Sequence, residues 1–242
     1  MASVQVGSAL SAGDVVDLPS PVRRSLDRSG VIGRPVPHSV ELSQTGQIRS
    51  SPDQKWMKFT ATELYVVDRP GFEWSAKMRI GGLGLGRATD TLNDGHGRMH
   101  VRLLGMVTVV DAEGPEMDQG ALMRWLNETI WFPQVWATET INWSAIDDTS
   151  AVAAVVSGQR RVEAEFRFDK EGRVVDFVAD RYRQVDDDFV LTTWSTPVTD
   201  YGTFEGMELP SGGSAVWKLP ESDFEYIQMR VHSITHTATS RA

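Results

Sequence analysis

Three carboxylates, an arginine and three aromatic residues are concentrated between residues 114 and 133 of the sequence. Glu128 lies about one helical turn before Trp131, and Asp118 lies near the start of the same predicted helix. A carboxyl group beside a Trp in a water-poor pocket has a raised pKa and can act as a general acid or base. These residues therefore predict proton-transfer chemistry, such as cyclisation, isomerisation or hydrolysis, with Glu128 and Asp118 as the catalytic candidates.

Both carboxylates also have a purely structural interpretation. Asp118 can cap the helix, because a carboxylate at a helix N-terminus accepts hydrogen bonds from free N–H groups and balances the helix dipole. Glu128 follows Arg124 by four residues, a spacing at which two side chains can pair on the helix surface. The sequence leaves these alternatives open.

The helix that would carry these residues is predicted over residues 118–131. A shorter helix is predicted near the N-terminus, with Ser20 as its N-cap, Pro21 at its first position and Gly30 just after its end. The longer helix has an apolar stripe, typical of a helix that covers a sheet, formed by Ala121, Leu122, Trp125, Leu126, Thr129 and Ile130.

Much of the remaining chain alternates between apolar and polar residues, which is typical of strands with one buried face. Clear examples are residues 72–80, 98–103 and 162–168. Turns containing glycine, such as 93–95, recur roughly every 10–14 residues and favour an antiparallel meander. Because long twisted sheets curl, we predict a mainly β (α+β) fold. It would be a large curved antiparallel meander, or half-barrel, with the short N-terminal helix and with the longer helix across its concave face.

The space between the longer helix and the concave sheet is the expected binding site for an apolar small molecule. Trp residues suit its walls because each offers a large flat surface and one N–H donor, and the alternative is that they form plain core. We expect the walls to be Trp74, Trp125, Trp131 and Trp136, and the orienting donors to be Tyr182, His100 and Arg102. His100 and Arg102 share one face of a strand, and they would be solvent-facing if that face were the outer one.

Composition argues against several other functions. The formal net charge of -9 does not suit a surface that binds nucleic acid or an anionic membrane. The absence of cysteine excludes disulfides and thiolate metal sites, and the histidines show no metal-binding pattern. Residues 81–86 are rich in glycine but do not lead into a helix, so they predict a flexible rim loop and not a nucleotide site. We therefore expect no cofactor and no metal.

The 242-residue chain contains no linker rich in Pro, Gly and Ser, so we predict one ligand-binding β-rich domain at 18–242 after a mobile arm at 1–17. Its first residues lack the basic and apolar pattern of a signal peptide. No apolar run approaches the roughly 20 residues that span a bilayer. We therefore expect a cytoplasmic protein without an integral membrane segment, and the oligomeric state is left open.

Six segments together resemble an uncharacterised bacterial domain-of-unknown-function family. They are LPSPVRR at 18–24, WMKFTA at 56–61, the predicted helix region at 114–133, IDDTSA at 146–151, ADRYR at 179–183 and WKLP at 217–220. The resemblance covers about residues 18–235 and implies no assigned activity. Many relatives carry N-terminal membrane segments, and the departure of this sequence from that pattern implies a free cytoplasmic version.

A second resemblance is to the late strands of the lipoprotein-carrier (LolA-like) half-barrel. It rests on residues 168–174, Trp194, 200–201 and 205–210. In that fold a curved antiparallel sheet wraps a helix and an apolar cavity that accepts acyl chains. The resemblance implies the alternative function of a non-catalytic carrier or sensor of lipid-like ligands. A third alternative is a structural module whose concave face is filled by its own side chains.

Overall fold

The computed structural model describes residues 4–80, 83–103, 107–185 and 188–239. These residues contain two α-helices, α1 (Ser20–Ser29) and α2 (Pro115–Glu128). Their strands are β1 (Ser39–Ile48), β2 (Met57–Val66), β3 (Gly71–Ile80), β4 (Leu83–Asn93), β5 (His96–Leu103), β6 (Val107–Glu113), β7 (Ile141–Ala145), β8 (Ser150–Ser157), β9 (Arg160–Phe168), β10 (Val174–Val185), β11 (Asp188–Ser195), β12 (Val198–Phe204), β13 (Met207–Lys218) and β14 (Asp223–Thr237).

The strands form one antiparallel sheet in the order β6-β5-β4-β3-β2-β1-β14-β13-β11-β10-β9-β8-β7, with β12 paired to β13 beside this path. Most neighbours in the sheet are also neighbours in the chain, as expected for a meander. The strands β6 and β7 lie at opposite edges, and within the described residues they do not pair with each other. The sheet is therefore open, and the segment that contains α2 connects its two edges.

The helix α2 shows how strongly the sheet is curved. It packs against β4 and β5 near one end of the strand order and against β9 and β10 near the other. In a flat sheet, β5 and β9 would lie roughly 43 Å apart, at about 4.8 Å per strand, whereas a helix is only about 10–12 Å wide. The sheet must therefore wrap around α2, which confirms the predicted half-barrel with the helix across its concave face.

The helix α1 closely follows its sequence prediction. It begins at Ser20 with Pro19 as the N-cap, so Ser20 is the first helical residue and not the cap. Gly30 adopts the left-handed conformation with φ 73°, which is accessible to glycine at little cost. Val22 and Leu26, one turn apart, are fully buried. This thin apolar face docks the helix on the rest of the protein.

The alternating segments are strands, as predicted. In β3, Phe72, Trp74 and Ala76 are buried, and the turn after β4 places Asp94 and Gly95 at φ 49° and 82°, as in a two-residue hairpin turn. The prediction of a rim loop at 81–86 was wrong from residue 83 onward, because β4 begins there and pairs with β3. Backbone pairing needs no side chain, so glycines can extend the hairpin. Residues 81 and 82 lie outside the described residues.

The segment before α1 is packed against the domain over residues 4–17. The N–H of Leu10 donates to the carbonyl of Arg34 at 2.8 Å, and the N–H of Gly7 donates to that of Val36 at 2.8 Å. Leu10 is fully buried. This part of the predicted arm is therefore docked in the structure.

Among the described residues, no helix is both long and apolar enough to cross a membrane.

Candidate functional site

The helix α2 starts and ends three residues earlier than predicted. Pro115 occupies its first turn, where its missing N–H costs nothing, and Gly114 precedes it with φ 121°. After Glu128 the chain tightens into a 3-10 turn at Thr129–Trp131, and a second 3-10 turn follows at Pro133–Ala137. The Thr129 hydroxyl donates to the carbonyl of Leu126 at 2.7 Å, which ties down the tightened end of the helix.

Asp118 does not cap this helix, so the capping interpretation was wrong. It lies inside the first turn, where the helix has no side-chain cap hydrogen bond. Its Oδ1 accepts the N–H of Gly97 at 2.8 Å, and its Oδ2 accepts a hydrogen bond from Arg160 at 2.6 Å. Asp118 therefore anchors α2 to β5 and β9, and it is not part of the cavity wall described below.

Arg124 is the centre of a buried ionic cluster on the second half of α2. Its Nε donates to Glu128 Oε1 at 2.8 Å, its Nη1 to Asp90 Oδ2 at 2.7 Å and its Nη2 to Glu63 Oε1 at 2.7 Å. The carboxylates are 8%, 5% and 0% exposed, respectively. The predicted pair of Arg124 and Glu128 is present, but it is buried because the sheet curves over this face of the helix.

Two aromatic rings also contact the Arg124 guanidinium. Its central carbon lies 4.8 Å from the ring centre of Phe72 and 5.4 Å from that of Trp74, distances typical of cation–π contacts. Each of its three nitrogens already donates to a carboxylate. The guanidinium is therefore held in place by three of the protein's own carboxylates.

Burial changes the acidity of this cluster. Desolvation raises the pKa of Glu63 well above its usual value, and the opposing charge of Arg124 does not cancel this effect. Desolvation also raises the pKa of Glu128, although the positive charge of Arg124 acts in the opposite direction. One guanidinium faces three carboxyl groups, so taking up a proton relieves repulsion among them. Glu63, the most deeply buried, is where we expect that proton.

Burial and the charges of Glu128 and Glu63 raise the pKa of Tyr65 well above its usual value. The Tyr65 hydroxyl lies close to Glu63 but outside hydrogen-bonding geometry. Tyr65 therefore stays a neutral phenol at the back of the cluster.

Two other oxygens of the cluster are buried without a hydrogen-bond partner among the described residues, namely Oδ1 of Asp90 and Oε2 of Glu128. An unsatisfied buried acceptor costs roughly 1–3 kcal/mol. Both residues line the same cavity.

This cavity has a volume of about 300 Å³ and lies between the second half of α2 and the concave face of the sheet. The volume is at the lower end of the range of about 300–1,000 Å³ for small-molecule sites. Its walls are mainly apolar and include Phe59, Trp74, Met78, Met99, Ile130, Trp131, Trp194 and Met229. Its polar lining includes Gln44, Asp90, Arg124, Asn127, Glu128, Arg181 and Thr196.

Only two of the four expected Trp walls face this cavity. Trp74 and Trp131 line it, whereas Trp125 and Trp136 are fully buried in the core. The indole N–H of Trp125 donates to the carbonyl of Val66 at 3.3 Å, and that of Trp136 donates to the Thr129 hydroxyl at 2.8 Å. Both indoles are satisfied by the protein itself, so these two residues hold the helix end in place.

The three expected orienting donors do not face the cavity. In β5, Met99 and Val101 line it, so strand alternation places His100 and Arg102 on the outer face. There the His100 ring lies 3.4 Å from the Thr108 hydroxyl.

Tyr182 of β10 is 37% exposed, while its neighbour Arg181 lines the cavity. These three residues therefore do not line the cavity that their predicted role requires. The cause is that sequence alternation shows which residues share a face of a strand but not which face is concave.

Other residues at the site were missed. Glu63 lies among the inward-facing residues of β2, between Ala61 and Tyr65, and Asp90 lies in the same way between Ala88 and Leu92 of β4. A carboxylate in the apolar register of a strand must be paired or protonated. That interruption of the pattern was the available signal.

Within the described ranges, no group of three or more His, Asp or Glu side chains is arranged to hold a metal ion. The carboxylates of the buried cluster are each bound to Arg124. The chemistry that the site can offer is therefore that of buried carboxyl groups facing an apolar space.

Two solved structures share a low level of similarity with this one. A LolA superfamily protein from Nitrosomonas europaea has a TM-score of 0.45 and 9% identity, over 90% of this chain and 92% of that chain. A putative outer membrane lipoprotein-sorting protein domain from Vibrio parahaemolyticus has a TM-score of 0.44 and 6% identity, over 84% of this chain and 87% of that chain. No curated protein sequence matches the chain significantly.

The family predicted from the sequence motifs is confirmed. Residues 8–229 match the model of a family of unknown function (DUF6544), and the chain therefore belongs to that family.

Proposed function

We propose that the protein binds an apolar small molecule in the cavity between α2 and the concave face of the sheet. The observation that carries this proposal is the cavity itself, with a volume of about 300 Å³ and mainly apolar walls. Engineered apolar cavities of only about 150 Å³ already bind benzene. Removing apolar ligand surface from water provides roughly 25 cal/mol per Å², which is the driving force for binding.

The lining of the cavity also supports this proposal. Filling an apolar cavity removes its wall from water, which stabilises the complex. Small residues keep it open, namely Ala88, Ala215, Gly212, Gly213 and Ser214 on its walls. Larger residues at these positions would fill it. A structural module packed with its own side chains does not account for this arrangement.

Titration with the uncharged apolar dye N-phenyl-1-naphthylamine tests the proposal. We expect one saturable site per chain, and we expect Ala88→Phe to weaken binding at least about tenfold, a loss of roughly 1.4 kcal/mol. Val156→Phe is the matched control, because Val156 is exposed and outside the cavity. The proposal fails if the dye does not bind, or if Ala88→Phe and Val156→Phe bind it equally well.

A second candidate function is cofactor-independent acid–base catalysis on the bound molecule. Glu128 supports it, because its Oε2 is unpartnered, burial raises its pKa, and the residue lines the cavity. A carboxyl group with a raised pKa can exchange protons near neutral pH, as cyclisation, isomerisation or hydrolysis requires. Asp118, the other predicted catalyst, is bound to Gly97 and Arg160 outside the cavity, so we now give it an anchoring role.

The rival is a carrier or sensor of lipid-like ligands without catalysis, as the second resemblance in the sequence implies. Mass spectrometry of the small molecules released from purified wild-type protein and from Glu128→Gln distinguishes the two functions. An enzyme should release product from the wild type and unconverted substrate from the variant. The same molecule from both proteins would exclude catalysis by Glu128 and favour the carrier. The cytoplasmic location expected from the sequence stays a prediction.

A further inference from the structure

Asp90 and Glu128 line the cavity, and each carboxyl group has one oxygen without a hydrogen-bond partner among the described residues. Oδ1 of Asp90 and Oε2 of Glu128 are buried and have no hydrogen-bond partner among the described residues. The other oxygen of each carboxylate is bound to Arg124 at 2.7–2.8 Å. The carboxyl groups of Glu63 and Glu128 lie within hydrogen-bonding reach of each other, so a proton on Glu63 can be donated to Glu128. The free oxygen of Asp90 has no donor among the described residues.

The charge around these oxygens is negative. The single guanidinium of Arg124 forms ion pairs with the carboxyl groups of Glu63, Asp90 and Glu128. If Glu63 holds a proton, one positive charge still faces two carboxylates, and the cluster has a formal charge of minus one. In a site of low dielectric constant, a cationic group is attracted to such a cluster and an anionic group is repelled.

Arg124 is poorly suited to bind an anionic ligand. All three of its nitrogens donate to carboxylates, and the Phe72 and Trp74 rings lie against the guanidinium. An incoming anion would be repelled by the carboxyl groups that already surround this guanidinium.

The other cation on the cavity wall is Arg181. Its Nε donates to the carbonyl of Gly120 at 3.2 Å, and its guanidinium lies 4.7 Å from the ring centre of Trp194. Arg181 is only partly buried, so water screens its charge more than that of the cluster. A ligand with an anionic head group would bind to Arg181. The Arg181→Met variant tests for that binding.

We infer that the cavity selects molecules with a protonated amine at the end of an apolar body, and that the amine binds to the carboxyl groups of Glu128 and Asp90, which line the cavity. This inference rests on the proposed function and adds the ligand class to it. Hydrogen bonds between a cation and a carboxylate are stronger than those between neutral groups. The geometry therefore predicts a preference for the amine of at least about tenfold, since roughly 1.4 kcal/mol corresponds to that factor.

The test compares octylamine, octanol and octanoate, which share one apolar chain and differ in the head group. Each displaces N-phenyl-1-naphthylamine from the full chain at neutral pH. We expect octylamine to displace the dye at concentrations at least about tenfold lower than octanoate, with octanol between them. Equal or tighter binding of octanoate overturns the inference, and loss of that binding in Arg181→Met would identify the anion site.

Two outcomes separate this inference from the proposed function. If all three probes bind with similar affinity, the cavity binds apolar molecules but the inference is wrong. If neither the dye nor any probe binds, the proposed function fails, and the inference fails with it.

Variants of single carboxylates test which side chains cause the preference for the amine. Glu128→Gln keeps the shape and the hydrogen-bond acceptor but removes the charge, so we expect it to lose most of the amine preference while octanol binding is retained. Asp90→Asn provides a second variant of the same kind. Asp118→Asn is the matched control, a buried carboxylate on the same helix but outside the cavity. Equal loss of preference in Asp118→Asn and Glu128→Gln would contradict the inference.

Discussion

Arg124 and Glu128 form a buried ion pair across one turn of α2, with 2.8 Å between Nε and Oε1. On an isolated helix this pair would face water and contribute little. Here the curved sheet brings Glu63 and Asp90 to the same guanidinium. The ionic cluster therefore joins helix to sheet and also forms part of the cavity wall, so that fold stability and the proposed ligand binding would depend on the same side chains.

Replacing Arg124 should strongly destabilise the protein. Arg124→Met leaves three buried carboxyl groups without their cation, and breaking buried ion pairs of this kind costs about 3–5 kcal/mol. At roughly 2–4 °C per kcal/mol for a chain of this size, the melting temperature should fall clearly in a thermal unfolding experiment. Arg161→Met is the control, because the Arg161–Glu163 pair is exposed. Similar losses in the two variants would contradict the role given to the cluster.

The raised pKa of Glu63 predicts how stability depends on pH. Its folded pKa lies above its unfolded value of about 4.3, so its contribution to stability is present below about pH 4.3 and is lost as the pH rises towards the folded pKa. Glu63→Gln cannot titrate. Its unfolding free energy relative to the wild type should therefore increase with pH, by at most about 1.4 kcal/mol per pH unit.

Urea unfolding of both proteins across this pH range measures the difference. Glu163→Gln, at an exposed position of β9, serves as the control for loss of a carboxylate. A stability difference between Glu63→Gln and the wild type that does not change with pH would show that Glu63 is not protonated in the folded protein.

Gly97 should be essential for the docking of α2. A Cβ atom at this position would lie 2.5 Å from the carbonyl oxygen of Met117 and 2.8 Å from the Cβ of Ala121. Gly97→Ala therefore forces the helix away from β5, and overpacking of this kind costs about 1–3 kcal/mol. Chemical denaturation should show this loss, whereas Gly13→Ala, whose Cβ meets only ordinary contacts, should be close to neutral. A stable Gly97→Ala variant would mean that α2 is not seated on β5 as described.

Ala88 and Ala153 provide a paired test of the cavity. Both are buried in strands, at 1% and 0% exposure, but only Ala88 lines the cavity. Ala153→Phe should cost about 1–3 kcal/mol or more because close-packed surroundings cannot accept a ring. Ala88→Phe should cost clearly less, since its ring can enter the empty space. Equal losses of unfolding free energy would indicate that no such space exists beside Ala88.

The fold could be predicted from local sequence patterns to a large extent. Alternation in β3, the turn at Asp94 and Gly95, and the end of α1 at Gly30 each depend on neighbouring residues, so the sequence shows them directly. The curvature of the sheet was predicted from the general tendency of long sheets to curl. The end of α2 was less predictable, because the Thr129 hydroxyl and the 3-10 turns after it respond to tertiary packing.

The site was predicted only in part, for a physical reason. The general location between helix and sheet, the pairing of Glu128 with Arg124, and the presence of Trp74 and Trp131 followed from helix and strand periodicity. The partners Glu63 and Asp90 come from strands 61 and 34 residues before Arg124 in the chain. His100 and Arg102 were misplaced because alternation leaves the choice of concave face undetermined.

A crystal structure of the full chain soaked with N-phenyl-1-naphthylamine tests the central claim most directly. We expect one dye molecule per chain between α2 and the sheet, in contact with Trp74, Trp131 and Trp194. A structure in which these side chains fill the space themselves, or in which the dye binds only elsewhere, would contradict it.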